Sequence, residues 1–181
     1  MVLTGRSKTK SLIYTAFFAV VIVICTWIQV PAAVPFTLQT FAVFAATLML
    51  GWKRALAAVA VYVALGVVGL PVFSGFRGGF GALAGPTGGY IVGFFFIPIS
   101  FLLTSIKPGS KLLEIGSLII GLVICYAFGT AWFVVVYAKN GGGISFASAL
   151  ALCVLPYIIP DLAKLALAFF LASKVKKRVN I

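Results

Sequence analysis

Acidic residues are nearly absent from this chain of 181 residues: two, Glu114 and Asp161, stand against fourteen lysines and arginines. Histidine is missing altogether. That removes His-based metal sites, Ser-His and Cys-His nucleophile pairs and a histidine general base. The three cysteines, Cys25, Cys125 and Cys153, sit in apolar surroundings with no CxxC spacing. They read as small buried hydrophobes and imply neither a disulfide nor a metal. No GxxxxGK[ST] segment occurs, so ATP would have to be bound by another subunit. No cofactor is implied.

What is present is mostly apolar. The chain is 63% hydrophobic and 9% charged, with a mean hydropathy of +1.23. No soluble domain of this size has enough interior for that much apolar surface. The chain is therefore expected to be an all-α integral membrane protein, multi-pass in the plasma membrane, with the lipid bilayer as its solvent. A spanning helix needs about 20 apolar residues, so six use up the chain. We expect one membrane domain, 1–181, with spans near 12–30, 35–51, 54–70, 88–106, 115–138 and 155–173. The second is short and borrows Val34 and Pro35. The fairly apolar run Ile144–Cys153 reads as a short re-entrant or interfacial piece.

Charge placement sets the orientation. With both termini cytoplasmic, the cytoplasmic segments hold Arg6, Lys8, Lys10, Lys53, Arg54, Lys107, Lys111, Lys174, Lys176, Lys177 and Arg178, leaving Arg77 and Lys139 outside and Lys164 within the membrane. That is a strong positive-inside pattern. The same flanking placement argues against nucleic acid, which calls for a basic stripe with interleaved aromatics. The start could also be read as a signal peptide cleaved near Ala32–Ala33, but 19 apolar residues are long for its core, and cleavage would break the even span count.

Asp161 stands in Pro156-Tyr157-Ile158-Ile159-Pro160-Asp161-Leu162-Ala163-Lys164. An ionised side chain at bilayer depth costs roughly 2.5–3.5 kcal/mol by insertion scales unless it is paired or faces a polar cavity. Two on adjacent turns of one helix face form a candidate site, and the prolines beside them favour a start of the last span here. The plainer alternative is a private ion pair that only orients a helix. Two external segments carry the other peculiarities. One is Val34-Pro35-Phe36-Thr37-Leu38-Gln39-Thr40. The other runs from Leu70 to Tyr90, with seven glycines between positions 75 and 89 among Phe73, Phe76, Arg77, Phe80 and Tyr90. It reads as a folded loop that orders over a ligand; a flexible connector would be Ser-rich and polar.

Those two segments, with Gly85-Pro86-Thr87-Gly88-Gly89-Tyr90 closing the second and Pro160-Asp161 followed by Lys164, resemble the BioY family, the biotin-specific substrate-binding subunits of energy-coupling-factor transporters. The resemblance covers nearly the whole chain. It implies a six-helix bundle with a biotin pocket near the external face, and as partners a transmembrane coupling subunit and two cytoplasmic ATPases. It also implies a small-residue docking face on the first helix, carried here by Thr15, Ala16 and Ala19, which match the family's Ala-x-x-x-Ala imperfectly.

Biotin has a ureido group with two N–H donors and a carbonyl, an apolar fused ring and chain, and a carboxylate. Such a ligand calls for an acceptor, a donor, a cation and aromatic walls. The candidate binding residues are Asp161, Lys164, Arg77, Tyr90, Gln39, Thr87, Gly88, Phe80 and Phe73, with Phe76 a further candidate wall. Asp161 is expected on the ureido N–H and Lys164 on the carboxylate. Alternatively both grip one end and leave Arg77 or backbone amides for the other. The rival functions are a binding subunit for a different vitamin, an intramembrane enzyme, for which one intramembrane carboxylate and no histidine leave too little, and a channel, for which nothing repeats.

Overall fold

Helix α1, Gly5–Trp27, shows how this chain divides lipid from core. Ile13, Phe17, Val20 and Ile24 are exposed, whereas Phe18, Ala19, Ile22 and Val23 are buried. At 3.6 residues per turn these are opposite faces of one helix, and the outward face is as apolar as the inward one. The computed structural model describes residues 5–32, 34–139 and 143–179. Ala33, at the expected cleavage site, and the ends of the expected 1–181 domain lie outside the described residues.

After α1 comes a two-residue antiparallel hairpin, β1 (Gln29–Val30) with β2 (Phe36–Thr37), in which Gln29 faces Thr37 and Val30 faces Phe36. With an isolated antiparallel bridge between Phe73 and Arg77, it is the only extended pairing among the described residues. Helices α2 (Gln39–Leu50) and α3 (Trp52–Val67) follow, separated by Gly51 at φ 76°. That left-handed angle suits glycine and turns the chain within one residue. The rest comprises α4 (Phe80–Ala84), α5 (Gly88–Gly93), α6 (Phe96–Ser100), a 3-10 turn (Phe101–Ser105), α7 (Lys111–Lys139), α8 (Phe146–Cys153) and α9 (Leu155–Val179).

Among the described residues, four stretches are long and apolar enough to cross a membrane: Lys8–Trp27, Gly88–Ser105, Lys111–Lys139 and Leu155–Lys176. The expected second and third spans are shorter helices of 12 and 16 residues. At 1.5 Å per residue they reach about 18 and 24 Å, less than a hydrocarbon core of about 30 Å. The reason α2 can be short is its position. It touches α1, α3, α6 and α9, and all its residues but Phe41 and Met49 are buried. It is a central strut wrapped by neighbours.

The expected fourth span is a stack of short helical pieces laid along α7 by small residues. A Cβ on Gly93 would meet Cys125 Sγ at 2.7 Å, and one on Gly121 would meet Ser100 Oγ at 2.4 Å. Backbones this close are how membrane helices gain contact without a hydrophobic drive. Ser100 Oγ also donates across the interface to Ser117 O at 2.6 Å. Helix α8 fills the expected interfacial piece. Ser145 caps it, its hydroxyl accepting from Ser148 N at 3.1 Å.

The glycine-rich segment is tied down at several points. Phe73 N donates to Arg77 O at 2.9 Å, Gly79 N to Gly66 O at 2.7 Å, Trp27 Nε1 to Pro71 O at 2.9 Å and Trp132 Nε1 to Gly85 O at 2.9 Å. Ser74 also donates to Gln29. Phe76 takes a left-handed φ of 55° and lies on Trp27, with ring centroids 5.2 Å apart.

Candidate binding site

Pro156 takes the second position of α9, where a missing N–H breaks no bond, and Pro160 stands one turn on. Asp161 and Lys164 follow in the next turns, 3% and 7% exposed. Lys164 Nζ is 2.7 Å from Asp161 Oδ1, the one ion pair among the described residues. Around it every neighbour answers a charge. Thr40 Oγ1 donates to Asp161 Oδ1 at 2.8 Å, and Tyr126 OH donates to Oδ2. Lys164 Nζ donates to Thr37 O at 2.6 Å and Thr40 Oγ1 at 3.2 Å, and lies 3.9 Å from the centre of the Phe36 ring. The ammonium's three hydrogens are thus all used, while the carboxylate keeps an unused lone-pair position.

The pair sits in the wall of a narrow chamber of about 50 Å³, lined among others by Thr37, Tyr90, Phe94, Tyr126 and Tyr157. A second chamber, also about 50 Å³, shares Val34, Pro35, Thr37, Tyr90 and Phe94 with the first, and adds Gln39, Tyr62, Ser74 and Thr87. A third, of about 20 Å³, shares Ser74, Thr87 and Ile91 with the second and brings in Phe73 and Arg77. The row therefore runs from an ion pair, through an uncharged chamber, to an arginine. Tyr90 is the wall between the first two. Its ring lies where a Cβ on Gly129 would come within 2.2 Å, and its hydroxyl meets Thr130 Oγ1 at 2.9 Å.

The strip Val34–Thr37 closes the first two chambers on one side. Tyr157 OH donates to Val34 O, and its ring stacks on Phe36 at 6.3 Å between centroids. With the Lys164 contact to Thr37, α9 holds this strip at three points.

Asp161, Lys164, Gln39, Tyr90, Thr87, Phe73 and Arg77 thus line one connected row. Arg77 is exposed, and its Nε donates to Ser74 O at 3.3 Å. Phe80 and Phe76 are 72% and 63% exposed and line none of the three chambers. A helix start at Phe80 and the left-handed turn at Phe76 point both rings away. Gly88 lines no chamber either. Its α-carbon is pressed on the chain, so that a Cβ would fall 1.6 Å from Leu83 O. That glycine shapes the loop. On α1, the face expected for docking divides. Ala16 is exposed, Thr15 is half-buried with its hydroxyl on Ser11 O at 2.9 Å, and Ala19 is 2% exposed.

Sequence reasoning did not single out Thr40, Tyr126, Tyr157 or Tyr62 as binding residues. A signal for Tyr126 was present: with Thr130 one turn later it puts two hydroxyls on one face of an apolar span, and a buried tyrosine hydroxyl seeks a partner.

The BioY family model matches residues 3–181. A biotin transporter BioY of Thermotoga maritima is 39% identical over 169 residues, 93% of this chain and 96% of that protein. A probable biotin transporter BioY of Pyrococcus horikoshii is 36% identical over 170 residues, 93% and 98% of the two chains. The crystal structure of the S-component for biotin from an ECF-type ABC transporter superposes with a TM-score of 0.86 at 27% identity, covering 98% of this chain and 96% of that one. With the family model spanning nearly the full length, this chain belongs to the BioY family.

Proposed function

We propose that this protein is the biotin-binding S subunit of an ECF-type transporter, a multi-pass membrane protein that captures biotin for import by partner subunits and is not itself an enzyme. The observation that carries the reading is the buried Asp161–Lys164 pair facing a chamber. A carboxylate and an ammonium side by side have no net charge, so they are a poor seat for an anion. They do match the edge of a ureido group, which offers an N–H beside a carbonyl. Asp161 has an acceptor position to spare for the N–H. A ureido oxygen would take the place of Thr40 on Lys164, the longest of that ammonium's contacts at 3.2 Å. Both charges then grip one end of biotin, and Lys164 is not the carboxylate's partner.

The chain forms one membrane domain of six spans, α2 and α3 being the short ones, with both termini cytoplasmic. The distribution of basic residues supports this orientation. Cysteines placed beside Lys53 and Lys111, with Cys25, Cys125 and Cys153 replaced, should resist an impermeant thiol reagent in intact cells, and ones beside Arg77 and Lys139 should react. Labelling beside Lys53 would overturn the orientation. The partners are ECF components, a transmembrane coupling subunit and two ATPases.

Isothermal titration of the detergent-purified protein tests the ligand. Biotin should bind saturably, and thiamine and riboflavin should give no signal. No binding of biotin, or tighter binding of another vitamin, would sink the reading.

A further inference from the structure

Two buried donors in the second chamber are poorly satisfied. Gln39, the first residue of α2, is 4% exposed, and Tyr62, midway along α3, is fully buried. Neither Gln39 Nε2 nor Tyr62 OH makes a well-formed hydrogen bond, although Gln39 and Thr26 lie beside the Tyr62 hydroxyl, and among the described residues no other buried side-chain nitrogen or oxygen is left so. The contrast within the protein is sharp. Thr26, Thr47, Ser100, Thr130, Asp161 and Lys164 are equally buried, and each is satisfied. A buried polar group without a partner is destabilising, and such exceptions call for a reason.

Both residues line the same chamber, beside Thr87 and Ser74. The Ser74 hydroxyl is already committed to Gln29. An amide N–H and a phenol O–H together ask for an acceptor. The neighbouring chamber adds Arg77, a cation with no carboxylate partner among the described residues. We infer that Tyr62 and Gln39 form the buried donor pair that receives the carboxylate oxygens of the ligand, with Arg77 compensating their charge from the adjoining chamber. Tyr62 thereby becomes a specificity-determining residue. The inference rests on the reading that biotin is the ligand, and it fixes biotin's direction: ureido end on α9, acid end between α2 and α3.

The phenol ring is well held, edge-on to Phe73 with centroids 5.5 Å apart, and Phe73 in turn occupies the space that Gly66 leaves open. Tyr62→Phe therefore removes one oxygen and little else. The test titrates the wild-type protein and Tyr62→Phe with biotin and with an analogue whose chain ends in a methyl group in place of the carboxylate. Biotin affinity should fall about tenfold or more in the variant, as for a lost hydrogen bond to a charged group, while affinity for the analogue stays the same. Without ligand the variant should melt close to wild type, because the deleted hydroxyl makes no well-formed hydrogen bond. Equal losses for both ligands, or a markedly lower melting temperature of the free variant, would make the hydroxyl merely structural and overturn the inference. Unchanged biotin affinity would overturn it as well. A wild-type protein that does not bind biotin sinks the ligand reading and this inference together, whereas wild-type binding with an indifferent variant sinks the inference alone.

Discussion

Asp161→Asn and Lys164→Ala are each expected to weaken biotin binding by roughly thirtyfold or more, while the protein still inserts in the membrane. The Asp161→Asn change would keep the shape but not the charge, leaving Lys164 at bilayer depth without a counter-ion and weakening the acceptor on which Thr40 and Tyr126 converge. Removing one partner of a desolvated charged contact costs about 2–5 kcal/mol, much of it the penalty on the charge left behind. A double variant separates the two parts of that loss. Asp161→Asn with Lys164→Met removes both charges, and an ion pair replaced as a unit is often close to neutral for stability. The double variant should therefore regain the thermal stability that either single change loses, yet still bind biotin poorly. Titration and melting curves on the three proteins decide it. Wild-type affinity in both single variants would reduce the pair to a device that orients α9.

Ala16→Trp is expected to leave biotin binding intact and to abolish ATP-driven uptake in the reconstituted transporter. The chain has no nucleotide-binding motif, so under the proposed function the partner subunits would supply the ATP hydrolysis. Docking by another membrane helix needs a small-residue face, and Ala16 is the member of the Thr15, Ala16, Ala19 group that stands exposed. Ala19→Trp is the contrast. Ala19 lies inside the bundle, so a tryptophan there would wedge α1 away from its neighbours, and overpacking of this kind costs about 1–3 kcal/mol or more. That variant should lose binding and stability together. Binding and uptake measured on the same samples give the answer. Undiminished uptake by Ala16→Trp would place docking on another face.

The buried ion pair of the candidate site was legible because charge is so rare here. With two acidic residues in the chain, an aspartate three residues before a lysine in an apolar run has few innocent explanations. The Val34–Thr40 and Gly85–Tyr90 segments were legible through their odd composition. Tyr126 and Tyr62 were not, because a tyrosine inside an apolar helix looks like any aromatic until the fold shows what its hydroxyl meets. The reach of α2 was hidden for a related reason. Hydropathy measures how apolar a segment is, and a short helix buried on all sides is as apolar as a span facing lipid. Phe80 is the opposite case: an aromatic among glycines reads as a pocket wall, whereas in the structure it is 72% exposed and lines none of the three chambers.

Lys164 has a consequence for time as well as for affinity. The ammonium that would hold the ureido oxygen also fastens Thr37 O at 2.6 Å and lies beneath Phe36. The chamber it borders and the adjoining one, about 50 Å³ each, are far smaller than the roughly 300–1,000 Å³ of ordinary small-molecule pockets. Lodging biotin therefore calls for these chambers to widen, and the Val34–Thr37 strip, held to α9 at three points, is a wall they share. Cargo and cover share one anchor. Substitutions along the strip would then be felt chiefly as altered residence time, the quantity through which most affinity differences between related complexes are expressed.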